Sequence, residues 1–193
     1  MPELVQIKID DRAGALLRKI ADRAAARAPA LMADLGKALE RDLRDHFRTL
    51  EGRGNEKGWP SKHFFIREGA DKTAMTEYSA AHAVVGIASA AMAHRLRGGT
   101  VRPKRGKHLA IPLTEEAYKK GSPREWDDRT ALFRPKGTHI LARKLDGDRL
   151  EAMYALVESV THRARPETLP DMKREGARLV RRARRWLRRI SQN

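Results

Sequence analysis

Asp42 and His46 lie four residues apart in a stretch of helical periodicity, so one helix would carry a carboxylate and an imidazole on adjacent turns. That spacing begins a metal site, yet no third ligand stands at a recognisable interval and no HExxH motif occurs. A solvated helix face accounts for the pair without a metal. The seven histidines are scattered singly, which suits surface or hydrogen-bonded residues better than a general base. Ser79, Ser89 and Ser122 sit in no G-x-S-x-G elbow. Gly98-Gly99-Thr100 lacks both the lysine beside the threonine and the glycine spacing of a phosphate loop. Glu115, Glu116, Asp127 and Asp128 are ordinary pairs in polar segments rather than a cluster for a divalent cation. The expectation is a protein without catalytic turnover, cofactor or metal.

Charge is the more informative signal. The chain has 41 Lys and Arg against 25 Asp and Glu, a formal net charge of +16. Such a balance calls for a polyanionic or acidic neighbour. Two segments concentrate it. From Arg95 to Lys107, the residues Arg95, Arg97, Arg102, Lys104, Arg105 and Lys107 stand with no acid among them. Gly98, Gly99 and Gly106 offer hinges to that segment. It reads either as a solvated hairpin tip or as a mobile contact arm for DNA phosphates or an acidic subunit. It has no aromatic residue for base stacking, which argues against single-strand or sequence-specific recognition.

The second segment, DMKREGARLVRRARRWLRRISQN, carries nine cations against two acids. Arg178, Arg181, Arg182, Arg184, Arg185, Arg188 and Arg189 favour the planar, two-pronged contacts that guanidinium makes with carboxylate or phosphate. Asp171 caps this helix, and Met172, Leu179, Val180, Ala183, Leu187 and Ile190 form an apolar stripe with Trp186 beside it. The helix is either a partner- or DNA-facing arm or an ordinary amphipathic helix docked by that stripe. A membrane-surface role has only composition in its favour.

The elements that must hold these segments follow from periodicity. Leu4–Ile9 alternates as a half-buried strand, and Asp10-Asp11 offers a cap for a helix bearing Leu16, Leu17, Ile20 and Ala24. Pro29 suits the first position of a new helix. From there Leu31, Leu35, Leu39, Leu43, Phe47 and Leu50 recur at three- and four-residue spacing. Glu51–Pro60 ends that helix with three glycines and Trp-Pro. Phe64–Ile66 is a short strand or an anchor. His82–Ala88 and His108–Leu113 read as strands, Pro112 suiting an edge. Ser89–Leu96 continues the first of them or turns helical. His139–Leu145 and Leu150–Ala164 flank an Asp-Gly-Asp hairpin turn.

The sum is an α+β fold: an N-terminal strand and long amphipathic helices on a mostly antiparallel sheet, followed by a basic C-terminal helix. A single domain over 1–170 with the helix 171–193 appended fits the length. Only ten residues are aromatic, so the core rests on Leu, Ile, Val and Ala. Cysteine is absent, which excludes disulfides and thiolate metal sites. MPELVQIKIDD lacks the pattern of a secretory signal, and no apolar run is long enough to span a bilayer. A soluble, intracellular protein is expected.

Four stretches carry a family likeness: Arg44 to Pro60, the long helix ending RDHFRTL and the glycine loop closed by GWP; AHRLRGGTVRPKRGKHLAIPL; GSPREW at Gly121–Trp126; and MYALVESVTHRARP at Met153–Pro166. In this order they resemble the phage virion morphogenesis proteins, the tail-completion and head–tail joining factors of tailed phages and prophages. Residues 61–80 and the arginine-dense C-terminus lie outside the shared pattern. The resemblance implies a structural subunit of a homo-oligomeric ring, a hexamer. Its partners would be the tail tube or terminator and the head connector, with contact to phage DNA, and it would make no membrane contact. It also implies residence in the host cytoplasm during assembly and then in the virion neck or tail. From charge alone, a non-specific DNA-binding protein of a mobile element is the alternative.

Overall fold

A computed structural model describes residues 12–54, 57–126 and 132–192. The expected strand Leu4–Ile9, the Asp10-Asp11 cap, and Asp127 and Asp128 lie outside the described residues. The architecture is α+β, and every strand pairing in it is antiparallel. Two compact units share the chain. The first takes the sequence up to Asp45, then Lys72–Ile87, then from Pro170 onward; the second takes His46–Asp71 and Ala88–Leu169. Instead of one sheet there are three small ones among the described residues. Among the described residues no helix is long and apolar enough to cross a membrane.

The first unit is organised on helix α1 (Arg12–Glu51), 40 residues and about 60 Å of continuous helix. No new helix begins at Pro29, which lies inside α1. The proline removes one backbone donor, but alanines at 24–26, 28 and 30, the best helix formers, surround it. Of the expected stripe, Leu31 and Leu43 are buried and Leu35 and Leu39 half-buried, and Ala38 is buried beside them. Strands β1 (Thr73–Tyr78) and β2 (Ala83–Ile87) form a hairpin with an irregularity between Met75 and Glu77. Polar clamps fasten it to α1: Arg44 donates to the Thr73 carbonyl from Nε (3.1 Å) and Nη2 (2.8 Å), and the Met75 N–H donates to Glu40 Oε2 at 3.0 Å.

Helix α4 (Met172–Gln192) belongs to the same unit and is capped as expected, Asp171 Oδ1 accepting from the Lys173 N–H at 2.9 Å. Its buried side differs from the expected stripe. Glu175 and Ile190 are buried, and Leu179, Ala183 and Trp186 are half-buried on the same face. Val180 and Leu187, roughly a quarter turn away, stand 51% and 44% exposed, and Met172 in the first turn is 50% exposed.

In the second unit Phe47, at the end of α1, is completely buried. Phe65–Ala70 forms a π-helical turn, so Phe64–Ile66 is an anchor rather than a strand. Gly69 of that turn lies flat on the Phe47 ring, where an added Cβ would approach Cγ to 2.7 Å. Ser89–Leu96 resolves as helix α2 (Ala90–Arg97), because Ser89 Oγ caps the Met92 N–H at 3.0 Å while donating to Glu68 Oε2 at 2.6 Å. Strand β3 (Gly99–Val101) pairs with β7 (Val160–His162).

The remaining sheet has the order β4 (Leu109–Pro112), β6 (Leu150–Val157), β5 (Ile140–Lys144), and Asp146–Asp148 closes the β5–β6 hairpin. Leu113 donates to Met153 O at 2.9 Å, and the alternation of an antiparallel ladder then turns the nitrogen of Pro112 outward. An edge position costs that proline no bond. Helix α3 (Glu115–Lys120), capped by Thr114, covers the sheet.

Ala117, Trp126, Met153 and Tyr154 form the core of this unit. Trp126 Nε1 donates to the Tyr154 hydroxyl at 2.9 Å, and that hydroxyl donates to Ala117 O at 3.1 Å. The Ala117 carbonyl also accepts from the Gly121 N–H, so only the indole depends wholly on Tyr154. Tyr154→Phe is therefore expected to cost about 2 kcal/mol in urea unfolding, and Trp126→Phe combined with it less than the sum of the two singles. A neutral Tyr154→Phe would contradict this arrangement.

Candidate partner-binding surfaces

The six cations of the Arg95–Lys107 segment do not share one mobile loop. Arg95 and Arg97 lie on α2, and only Arg102, Lys104, Arg105 and Lys107 occupy the exposed connection from β3 to β4. Those four have no ion-pair partner among the described residues. The connection starts from a strand paired with β7 and ends in one paired with β6, so its base is fixed while its tip faces solvent.

The glycines also differ in their duties. Gly98, with φ +71°, ends α2 so close to the returning chain that a Cβ would lie 2.6 Å from Ala164 N and 2.7 Å from His162 O. Gly99 is part of β3 and faces the His94 ring. Of the three expected hinges, only Gly106, φ +88° with open space around it, sits in the exposed loop. Gly106→Ala is expected to cost about 1 kcal/mol through its backbone conformation alone. Gly98→Ala adds a backbone clash and is expected to cost at least about 3 kcal/mol, as read by thermal or urea unfolding. Equal effects at the two sites would show Gly98 to be an ordinary hinge.

In the first unit, α1 and α4 run side by side and exchange charge. Arg182 places Nε and Nη2 on the two Asp34 oxygens, both at 2.6 Å, a bidentate pair. Arg178 bridges Glu175 (3.1 Å) and Asp42 (3.3 Å). Asp42 is thus committed to an arginine, and His46 donates from Nε2 to the Thr168 carbonyl at 3.0 Å, so each member of that pair has a structural partner. A groove of about 280 Å³ between the helices is lined by Arg41, Arg178, Arg181, Arg182 and Arg185, with Asp42 the one acid. Arg181 and Arg185 have no carboxylate partner among the described residues, and Arg41 lies within electrostatic reach of Asp34. Arg184 and Arg189 are exposed, as is Arg188, which has an interaction of its own.

Hydrogen bonds from Arg182, followed by its charge, hold the Asp34 carboxyl below the ordinary carboxylate range despite partial burial. A depressed folded pKa gives stability that is complete above the unfolded value and lost as pH falls through the folded one. Both side chains are more than a third exposed, so the contribution stays below about 1 kcal/mol. Asp34→Asn should lower stability by that small amount at neutral pH. The difference from wild type should then vanish as pH drops below about 4. A gap that persists unchanged at low pH would show that the pair acts through shape rather than charge.

The second unit contains a cleft that the sequence reading did not anticipate. Its volume is about 510 Å³, within the range of small-ligand and peptide sites. Trp59 and Tyr118 meet with ring centroids 5.1 Å apart. Lys57 Nζ lies 4.2 Å above the Trp59 ring and Lys62 Nζ 4.6 Å above Tyr118. The Arg95 guanidinium covers Phe65 at 4.9 Å and Phe64 at 5.6 Å, and its backbone carbonyl accepts from the Arg165 N–H at 3.0 Å. Glu51 is the one acid of the lining. Its carboxylate accepts from Ser61 Oγ and, at 2.8 Å, from the Phe65 N–H, which fixes the turn below the rings. The legible trace of this site was K-G-W-P-S-K, a tryptophan bracketed by Lys57 and Lys62. Tyr118, Arg95 and Arg165 are remote in sequence and join only through the fold.

No protein-family model, curated protein or solved structure matches this chain.

Proposed function

We propose that the protein is a structural subunit of tailed-phage assembly, a tail-completion or head–tail joining factor that acts without catalysis in a ring between tail tube or terminator and head connector. The resemblance of four ordered stretches supports this reading. One observation carries it further: the same stretches come together in the second unit. Trp59 of the first, Arg95 and Pro112 of the second and Arg165 of the fourth line one cleft. Trp126 of the third is hydrogen-bonded to Tyr154 of the fourth in the core. The solvent-facing loop with Arg102, Lys104, Arg105 and Lys107 supplies a contact arm on a fixed base, suited to order on assembly.

Electron microscopy of lysates from a phage or prophage lacking this gene should reveal separate DNA-filled heads and tails. Complementation with Lys104→Glu, Arg105→Glu and Lys107→Glu combined should leave that defect in place. Normal virions in normal numbers without the gene would end the assembly reading.

The arginine groove of α1 and α4 favours a second reading, non-specific binding of duplex DNA by phosphate contacts. On that reading log affinity falls linearly with log salt. Reversing Arg41, Arg181 and Arg185 to Glu would make the slope shallower by about 3, roughly one unit per lost phosphate contact. The assembly reading expects weak duplex binding by the free protein.

A further inference from the structure

We propose that the cleft of the second unit is a docking site for an acidic segment of a second protein, one that sets carboxylates against Lys62 and Arg165 and an apolar side chain against Phe64, Phe65 and Ile111. The inference concerns the cleft alone and holds whether or not the assembly reading does.

Charge complementarity names the occupant. Four cations, Lys57, Lys62, Arg95 and Arg165, line the site against Glu51, whose carboxylate is already engaged by Ser61 and the Phe65 backbone. Lys62 and Arg165 are exposed and have no carboxylate partner among the described residues. The remaining lining is apolar, with Phe64 and Phe65 half-buried and Ile111 37% exposed.

The aromatic rings decide between protein and nucleic acid. Base recognition needs open ring faces. Here lysine ammonium groups stand over Trp59 and Tyr118, and those two rings already pack on one another at a tilt of 43° with centroids 5.1 Å apart. A stacking base would have to displace both lysines. A carboxylate would instead join an ammonium that the ring already orients, and would leave the cation–π contacts in place. A second copy of this chain, at +16, is a poor source of acid, so the partner is a different and acidic protein.

Panning a random peptide display library on the full-length protein at about 0.15 M salt tests this. Enriched peptides should combine two or more Asp or Glu with an aromatic or branched aliphatic residue. Synthetic copies should bind Lys62→Glu/Arg165→Glu at least about tenfold more weakly. They should bind Arg181→Glu/Arg185→Glu as they bind wild type, which separates the cleft from the bulk charge. Circular dichroism checks each variant; if the double reversal unfolds, Lys62→Gln/Arg165→Gln tests the same contacts at similar length and polarity. Three results would overturn the proposal: enrichment without acidic residues, acidic peptides that bind the cleft variant as tightly as wild type, or cleft variants that lose binding of oligothymidylate and not of peptide. The last would make the cleft a nucleic-acid site.

Discussion

Carboxylates are outnumbered by cations on this chain, and several elements depend on where they are committed. With 41 cations to 25 acids, the folded state gathers repelling charge, and each internal ion pair or charged hydrogen bond relieves it locally. Asp34 and Asp42 on α1 receive Arg182 and Arg178 of α4, which ties the two helices together in one register. Glu40 holds the β1–β2 hairpin through the Met75 backbone. In the other unit Glu51 fixes the turn under the cleft, Glu68 orients the capping Ser89, and Glu116 with Glu151 grips Arg143 at 2.8 Å each. These acids act as clamps on backbone and arginine, so they are not available to compensate the outer cations.

The same imbalance defines the surfaces. Arg181 and Arg185 in one unit, and Lys62, Arg165 and the β3–β4 loop in the other, carry charge that no ion pair among the described residues neutralises. Their settings differ in chemistry. The groove of α1 and α4 is lined mainly by arginines, with Asp42 among them. The cleft couples cations to aromatic rings, with Lys57 over Trp59 and Lys62 over Tyr118. One net charge is therefore presented in two chemically distinct settings.

Both units have small cores, and polar bonds supplement them. The indole of Trp126 and the hydroxyl of Tyr154 are buried together and satisfy one another, so the second unit's centre combines packing with directional bonding. Glycine acts in the same economy of space. Gly69 lets the π-helical turn lie on Phe47, and Gly98 lets α2 end against the chain that leaves β7. The residues that looked like hinges are in part the points of tightest approach.

The sequence by itself determined what depends on neighbours a few residues away. Helix α1 and its Leu31–Leu43 face, the Asp171 end of α4, the Asp-Gly hairpin and the edge position of Pro112 all follow from local spacing and from the donors each residue has or lacks. Continuity through Pro29 went against the local rule, because one missing donor weighs less than a run of alanines and the face those turns share. The buried side of α4 was legible in its periodicity, yet whether Trp186 or Leu187 turned inward depended on α1, whose acids draw Arg178 and Arg182 and so fix the rotation of the helix. Tertiary structure alone decided which cations have partners and which aromatic rings they cover, since Trp59, Arg95, Tyr118 and Arg165 come from four separate segments. An ion pair or ring contact reaches only a few ångströms, and no spacing along the chain reveals which distant residues the fold will bring within that range.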